Sequence, residues 1–471
     1  MKRTTGAASR ALWAGAVAAM ILTAAPGRLL ARERPLRIVE DPALSAAMAE
    51  VRARFLAMRR DRQPELVTLN AALLLPNPDG SWRRGSVNGE EATYPASCVK
   101  MAYMVAAARW CRLQGKPPKA LDQYVRPMVT VSDNVATGWV VDAITGTPNC
   151  DGSKTGDAPF DQWLERRGST ERWLRELGLL GNQTILHKTY PTNSGEMPEA
   201  YEKRAREVRG MNRMQPSLSA ELCLRIVSGR LEPQATAYMR GLLAHRRLSM
   251  GSPIGCGLPP GSTILNKAGL AYDTLEDIAY IRLPNRQEMV LAVFSNAFGG
   301  SEPSQPGIHS SSILGVFAEM LLDRLGLDKG CPPAVVVDAA SPAFSCPGGW
   351  RAAPPASEAL SAVPRTASAG DARAEWRLNV PRTGLYEVSV WFPQDPGNAQ
   401  AAPFTVVHGG GETRVEVDQR RTGGRWLKLG DFRLRKGSGV VRLSAASGAP
   451  VVADAVKATL WPAGLRPEVR P

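Results

Sequence analysis

The spacing of hydrophobic and polar positions changes several times along the chain, and each change marks a different element. Residues 41–60 carry apolar side chains at a three-to-four-residue spacing, which predicts an amphipathic helix. Residues 66–75 and 81–87 are strand-like and are separated by a Pro- and Gly-containing turn at 76–80. The pattern therefore predicts a helix followed by a β-hairpin.

The next stretch is apolar on every side. Pro95 suits the entry of a helix, and the run from Met101 to Ala108 predicts a helix buried inside a domain. Lys100 is unexpected there, because burial and the positive end of the helix dipole both disfavour its charged form. A lysine in this setting tends toward the neutral amine, which is a base.

Residues 121–248 are mostly helical in pattern, interrupted by a polar excursion at 189–213. Three strand-like runs and a helical pattern follow, at residues 262–270, 277–283, 289–296 and 310–325. Strands at both ends of this region predict an α+β domain, in which helices flank an antiparallel sheet completed by both ends of the sequence.

From Val335 onward the chain shows short alternating strands and almost no helical period. The clearest alternation lies at residues 385–393, 404–407 and 425–429. This pattern predicts a second domain, an all-β sandwich. Trp391 and Trp426 fall at alternating positions, which favours a place in the core over an exposed sugar-stacking role.

The first 25 residues have the layout of a secretory signal peptide. Lys2, Arg3 and Arg10 precede an apolar stretch, 11–25, that ends in small residues. The stretch is too short to span a bilayer comfortably, and no later segment is apolar enough to do so. We therefore expect a secreted or periplasmic protein with no membrane span after signal removal.

Composition limits the classes of binding partner that the protein could have. The formal net charge of +14 is spread without a long Lys/Arg run, so we expect no nucleic-acid partner. Two explanations of the positive charge remain: the protein binds an anionic wall polymer, or its basic surface is simply solvated. The seven cysteines are odd in number, and Cys331 and Cys346, which flank a short loop, are the best candidates for a disulfide. Because no Cys or His pair has metal-ligand spacing, we expect no metal and no other cofactor.

Ser97 lies three residues before Lys100, so on a helix the two side chains would share a face. A serine hydroxyl is a weak nucleophile until a base removes its proton, and a lysine can be that base. The alternative is that Ser97 caps the helix while Lys100 extends to water. A capping box, however, requires Glu or Gln where this chain has lysine.

Two further short motifs follow in order. Ser132–Asn134 (Ser-Asp-Asn) opens a helical pattern and could be only an N-cap. Lys267–Gly269 (Lys-Ala-Gly) lies in the first late strand, where a lysine is usually solvated. Each motif is weak alone, so their joint order and their helix or strand settings carry the information.

Together the motifs resemble the S-x-x-K, S-D-N and K-T-G signature of the penicillin-recognising serine hydrolases, the group of class A β-lactamases and D,D-peptidases. The resemblance places a β-lactamase/transpeptidase-like domain at residues 36–330. It implies that Ser97 attacks an amide carbonyl to form an acyl-enzyme, that Lys100 is its base, and that Ser132 passes a proton to the leaving nitrogen. The substrate-binding residues it implies are Asn134, Lys267, Gly269 and Leu270, with the backbone N–H groups of Ser97 and Leu270 forming the oxyanion hole.

The chain departs from this signature in two ways. Ala268 replaces the usual Thr or Ser, and the excursion at 189–213 lacks the E-x-x-L-N motif that supplies the deacylating base of class A β-lactamases. Glu196 is a weak substitute, and an exposed loop glutamate is the favoured alternative. The open functions are a hydrolase of a β-lactam or peptidoglycan-type amide, a D,D-peptidase, amidase or esterase, and a non-catalytic cell-wall-binding module.

The second domain, residues 334–463, resembles the golvesin C-terminal-like domain. The residues that carry this resemblance lie at 403–408, 424–430 and 451–456. It implies that an extracellular polymer or carbohydrate is bound by the sandwich, in addition to a small-molecule or peptidoglycan-type substrate of the first domain.

Overall fold

The computed structural model describes residues 36–61, 64, 66–147, 157–188, 200–249, 251–296, 313–368, 370, 372–421, 423–465 and 467. The signal peptide predicted at 1–25 lies outside the described residues, as does Glu196. Within these ranges, no helix has the length and apolar character needed to cross a membrane.

A seven-stranded sheet organises the first domain in the described part of the chain. Its strands are β1 (Ile38–Glu40), β2 (Leu69–Pro76), β3 (Trp82–Val87), β4 (Ala244–His245), β5 (Thr263–Ala271), β6 (Thr274–Arg282) and β7 (Glu288–Ser295). Their order is β1-β3-β2-β7-β6-β5-β4, antiparallel throughout except that β1 runs parallel to β3. The early hairpin thus pairs with the late strands, as the sequence predicts.

Helices cover both faces of this sheet. They are α1 (Pro42–Arg59), α2 (Lys100–Leu113), α3 (Asp122–Thr130), α4 (Asn134–Thr145), α5 (Asp157–Arg167), α6 (Ser169–Glu176), α7 (Ala200–Arg209), α8 (Pro216–Val227), α9 (Thr236–Leu243) and α10 (Ile313–Leu325). The apolar stripe of α1, including Val51 and Phe55, packs with α10 on one face, where Phe55 meets Phe317 edge-on. Helix α8 covers the other face against β2, β6 and β7.

The second domain is made of antiparallel sheets. Its strands are β8 (Ala334–Asp338), β9 (Phe344–Ser345), β10 (Arg351–Ala352), β11 (Arg365–Ala367), β12 (Arg373–Leu378), β13 (Gly384–Trp391), β14 (Ala402–His408), β15 (Gly411–Val417), β16 (Leu427–Leu434), β17 (Gly439–Ser444), β18 (Val451–Ala453) and β19 (Ala455–Leu460). The sheets β15-β14-β17-β12-β9 and β16-β13-β19-β8 enclose a core that contains Trp376, Tyr386 and Phe404. The predicted mixture of an α+β domain and a β-sandwich is confirmed.

The two domains share a packed junction. Trp391 of β13 belongs to the same buried cluster as α1 and α10, and its indole N–H donates to the Glu358 carbonyl at 2.8 Å. Arg247 of the first domain forms a buried ion pair with Glu387 of β13. A cavity of about 1430 Å³ lies at this junction and is lined by both domains, including Trp426 and Trp461.

The disulfide predicted between Cys331 and Cys346 is wrong, because both thiols are free. Cys331 packs against the core of the first domain, whereas Cys346 packs against the core of the sandwich. Short separation in sequence did not reveal that the two residues belong to different cores. A disulfide requires the two Cβ atoms to lie about 4 Å apart and face each other.

Candidate active site

Ser97 lies on a tight turn that leads directly into the buried helix. A 3-10 helix, Ala96–Val99, precedes α2, and the helix itself begins at Lys100. Ala96 has a φ of 41°, in the left-handed region that disfavours residues with a Cβ. Such backbone strain persists only where surrounding contacts maintain it. We therefore attribute the conformation of this turn to tertiary packing.

Lys100 is fully buried and faces the second motif. Its Nζ lies 2.5 Å from the carbonyl oxygen of Ser132, 3.1 Å from Ser132 Oγ and 2.7 Å from Asn134 Oδ1. Burial, reinforced by the positive charge of Lys267, holds the pKa of Lys100 well below its usual range. The pKa is thus shifted toward the neutral amine, which is the direction expected for a lysine buried at the start of a helix.

The Ser132 hydroxyl lies between two lysines. Lys267 Nζ is 3.2 Å from Ser132 Oγ and donates to the carbonyl of Ala268 at 2.8 Å. Burial lowers the pKa of Lys267 to about 8, so this side chain stays mostly cationic at neutral pH. Ser132 itself has a φ of 61°, and Asp133 accepts a hydrogen bond from Ala136 N as the N-cap of α4.

Gly269 brings β5 against the Ser97 turn. A Cβ built at Gly269 would lie 2.9 Å from Ser97 N and 2.7 Å from the carbonyl oxygen of Pro95. Only a residue without a Cβ allows this approach. Leu270 follows on β5 with 37% of its surface exposed, so Ser97 and Leu270 are carried by two segments that meet at Gly269.

The structure thus joins four of the predicted side chains, those of Lys100, Ser132, Asn134 and Lys267, by hydrogen bonds, and it places the backbone of Ser97 beside Gly269 and Leu270. Ser132 and Asn134 contact Lys100 directly, and Lys267 contacts Ser132. Gly269 lies close enough to the Ser97 backbone that an added Cβ would clash with it, and Leu270 is the next residue of the strand. Among the described residues, no group of three or more His, Cys, Asp or Glu side chains is arranged to hold a metal ion.

A third lysine near the site was not found from the sequence. Lys188 is almost fully buried, and its charge contributes to the low pKa of Lys100. It donates to Glu202 Oε2 at 3.0 Å, while Arg167 pairs with the other oxygen of Glu202 and with Asp142 at 2.5 Å. These residues are far apart in sequence and form no motif, so only the fold reveals the cluster.

The comparisons with known proteins agree with these two domains. The Beta-lactamase enzyme family is matched over residues 113–310, and the Golvesin C-terminal domain over residues 335–460. Golvesin of Dictyostelium discoideum is 33% identical over 442 residues, which cover 91% of this chain and 75% of golvesin.

Two further proteins each resemble one part of the chain. Xanthan lyase of Bacillus sp. (strain GL1) is 35% identical over 142 residues, which are 28% of this chain and 15% of that enzyme. The crystal structure of a β-lactamase from Sphaerobacter thermophilus is 19% identical with a TM-score of 0.40, covering 60% of this chain and 99% of that one. The chain belongs to the golvesin family and joins a β-lactamase-family domain to a golvesin C-terminal domain.

Proposed function

We propose that the protein is a secreted serine hydrolase that forms an acyl-enzyme at Ser97 with a β-lactam or a peptidoglycan-type amide. The observation that carries this proposal is the position of Lys100. Two of its contacts, the Ser132 carbonyl and Asn134 Oδ1, are to oxygens that only accept. A neutral amine satisfies both with N–H groups and retains a lone pair that can take a hydroxyl proton.

The chemistry follows from this arrangement. Ser97 Oγ bonds to the substrate carbonyl carbon as its proton moves to Lys100 Nζ, and the backbone N–H groups of Ser97 and Leu270 receive the oxyanion. The C–N bond then breaks as the Ser132 hydroxyl gives its proton to the leaving nitrogen and takes one from Lys100. Water finally attacks the ester and releases the acid and Ser97.

The charge of the site favours an anionic substrate. Three buried lysines, Lys100, Lys188 and Lys267, lie around it, and the pKa of Lys267 at about 8 leaves that side chain mostly cationic at neutral pH. An ammonium beside Ser132 is suited to a substrate carboxylate, which both β-lactams and peptidoglycan stem peptides carry. The missing hydroxyl at Ala268 leaves this cation as the main source of carboxylate binding.

Release of the acyl group is expected to be slow. Both oxygens of Glu202, the buried carboxyl described beside Lys188, are occupied by cations. Burial outweighs these cations and raises the pKa of Glu202, but a carboxyl with both oxygens engaged is poorly placed to accept a proton from water. A peptidase, amidase or esterase is therefore favoured over an efficient β-lactamase, and a non-catalytic cell-wall-binding module is the remaining alternative.

The test is the intact mass of the mature protein followed over time after addition of a labelled penicillin. We expect one stable adduct, mapped by peptide digestion to the segment that contains Ser97. The Ser97→Ala protein is the blank, since it keeps the fold but lacks the nucleophile. Rapid loss of the adduct would instead support a β-lactamase. If no adduct forms with penicillin, ester or peptide substrates, the proposed hydrolase is ruled out, and the non-catalytic cell-wall-binding module becomes the favoured function.

We further propose that the second domain holds the enzyme at an extracellular polymer or carbohydrate. The specific support is the junction cavity, where the rings of Trp426 and Trp461 are only partly buried. Aromatic rings with polar neighbours suit sugar rings, and here Lys457 lies over Trp426 at 4.5 Å.

Replacing Trp461 by alanine is expected to weaken binding to purified peptidoglycan roughly 3–10-fold, by loss of one aromatic contact. Co-sedimentation of the full-length mature protein measures the bound fraction. Trp139→Ala is the matched control, because Trp139 is an exposed tryptophan on α4, outside the residues that line the cavity. Equal binding by the two variants would remove the junction as the polymer site.

A further inference from the structure

Glu276 is a buried acid in the active-site region that the proposed reaction does not use. It lies on β6 directly opposite Gly269 of β5, so both residues face the same side of the sheet. Only 1% of its surface is exposed, and its Oε2 atom has no hydrogen-bond partner among the described residues. A buried polar atom without a partner is costly, and its presence needs a reason.

The Glu276 carboxyl and the turn that carries the nucleophile approach the same point beside Gly269. The Cβ position built at Gly269 lies 2.9 Å from Glu276 Oε2, 2.9 Å from Ser97 N and 2.7 Å from Pro95 O. Three polar atoms therefore converge on one small space that only a glycine leaves open. One of them, the Ser97 N–H group, is the donor required for the oxyanion.

Among the residues that the structure describes, the groups that face Glu276 offer it no cation. They are Tyr94 in the loop before the turn, Cys98 in the 3-10 helix, and Asp273 and Thr274 in the β5–β6 hairpin. Lys267 lies on the same face of β5 but points to Ser132 and the Ala268 carbonyl. Burial, with a smaller contribution from Asp273, raises the pKa of Glu276 well above its usual range.

We propose that Glu276 is a positioning residue, a neutral acid that packs beneath the Pro95–Ser97 turn and keeps the Ser97 N–H group available to the substrate. A carboxylate here would compete for that N–H group and would set a negative charge beside the developing oxyanion. The neutral acid carries no charge that could do either. This inference rests on the proposed acylation at Ser97.

The protonation state can be read from stability without any activity. Because the pKa in the folded protein lies above the unfolded value, Glu276 costs no stability below the unfolded pKa, and its cost grows as pH rises toward the folded pKa. The wild type and Glu276→Gln should therefore unfold at similar denaturant concentrations at about pH 4. The glutamine variant should become progressively more stable than the wild type toward pH 8.

Glu416→Gln is the matched control for this measurement. It removes an exposed carboxyl of β15 whose ion pair with Arg414 is solvent-accessible, so its pH course should run parallel to that of the wild type. If the Glu276→Gln and wild-type courses also run parallel, Glu276 ionises normally in the folded protein and the proposal is overturned.

The second measurement is the rate of penicillin acylation at Ser97. Glu276→Gln keeps a neutral side chain of the same shape and should retain fast acylation, whereas Glu276→Ala leaves the turn unsupported and should be roughly 10–100-fold slower. If acylation is slowed equally in both variants, the proposal that a neutral Glu276 side chain positions the Ser97 turn is overturned. If the wild type itself is never acylated, the proposed function fails, and the stability courses still decide whether Glu276 is the neutral acid described here.

Discussion

Replacing Lys100 by methionine is expected to slow acylation of Ser97 by about 10²–10⁴-fold, the usual contribution of a positioned general base. Methionine keeps the length and packing of the side chain but cannot accept the Ser97 proton. The same change removes an amine whose charged form is unfavourable in this buried position, but it deprives the Ser132 carbonyl and Asn134 Oδ1 of this donor, so the free energy of unfolding should fall by about 1–3 kcal/mol. A rate loss far larger than this modest loss of stability can explain would assign Lys100 to the chemistry.

The measurement is the pseudo-first-order rate of penicillin adduct formation, with urea unfolding as the fold check. Lys116→Met is the matched control, because Lys116 lies beyond the end of the same helix, where its ammonium stacks on Trp110 at 4.7 Å. This variant should acylate at the wild-type rate. If Lys100→Met did the same, a different group would have to be the base, and the case for proton transfer through Lys100 would collapse.

The parts of this site that sequence could predict are those with a local cause. Apolar side chains around the whole of α2 predict a buried helix, and a lysine at its start is then forced toward neutrality. The alternation in β5 predicts a strand that carries Lys267, and the structure confirms it. These predictions depend on the spacing of apolar residues and on the burial that this spacing implies, and both can be recognised in a short stretch of sequence.

Other features depend on contacts that no short stretch contains. The left-handed Ala96 is imposed by packing around the turn, and nothing in the residue type indicates it. The network of Lys188 with Glu202 and Arg167 joins three segments through charge pairing that becomes strong only after burial. Glu276 lies just before the strand predicted at 277–283, and only the observed register of β6 places it opposite Gly269.

The division into two domains was also predicted, but the extent of the packed interface between them was not. Trp391 is a core residue, as alternation in β13 indicates, yet the core it enters is that of the first domain. The same strand sends Glu387 to Arg247 across the junction. The face of β13 that carries Trp391 and Glu387 is therefore buried between the two domains, although the sequence pattern alone gives no sign of the contact.

Glu387→Ala is expected to destabilise the protein by about 3–5 kcal/mol, because it leaves a buried guanidinium without its counter-charge. Arg247 is 5% exposed, and its other described contact is to the Leu258 carbonyl at 2.9 Å. Burial alone would raise the pKa of Glu387, but Arg247 and Lys428 outweigh it and lower that pKa. The pair therefore contributes most above the unfolded pKa of the acid, and its contribution falls as acidification protonates Glu387.

Chemical unfolding at pH 7, followed by tryptophan fluorescence, measures this loss. Glu416→Ala, which breaks the exposed pair with Arg414, should cost no more than about 1 kcal/mol. The double variant Arg247→Met with Glu387→Leu should recover most of the stability, since it removes both charges together. If Glu387→Ala unfolds like the exposed control, the ion pair is dispensable and the two domains are held together by the Trp391 cluster instead.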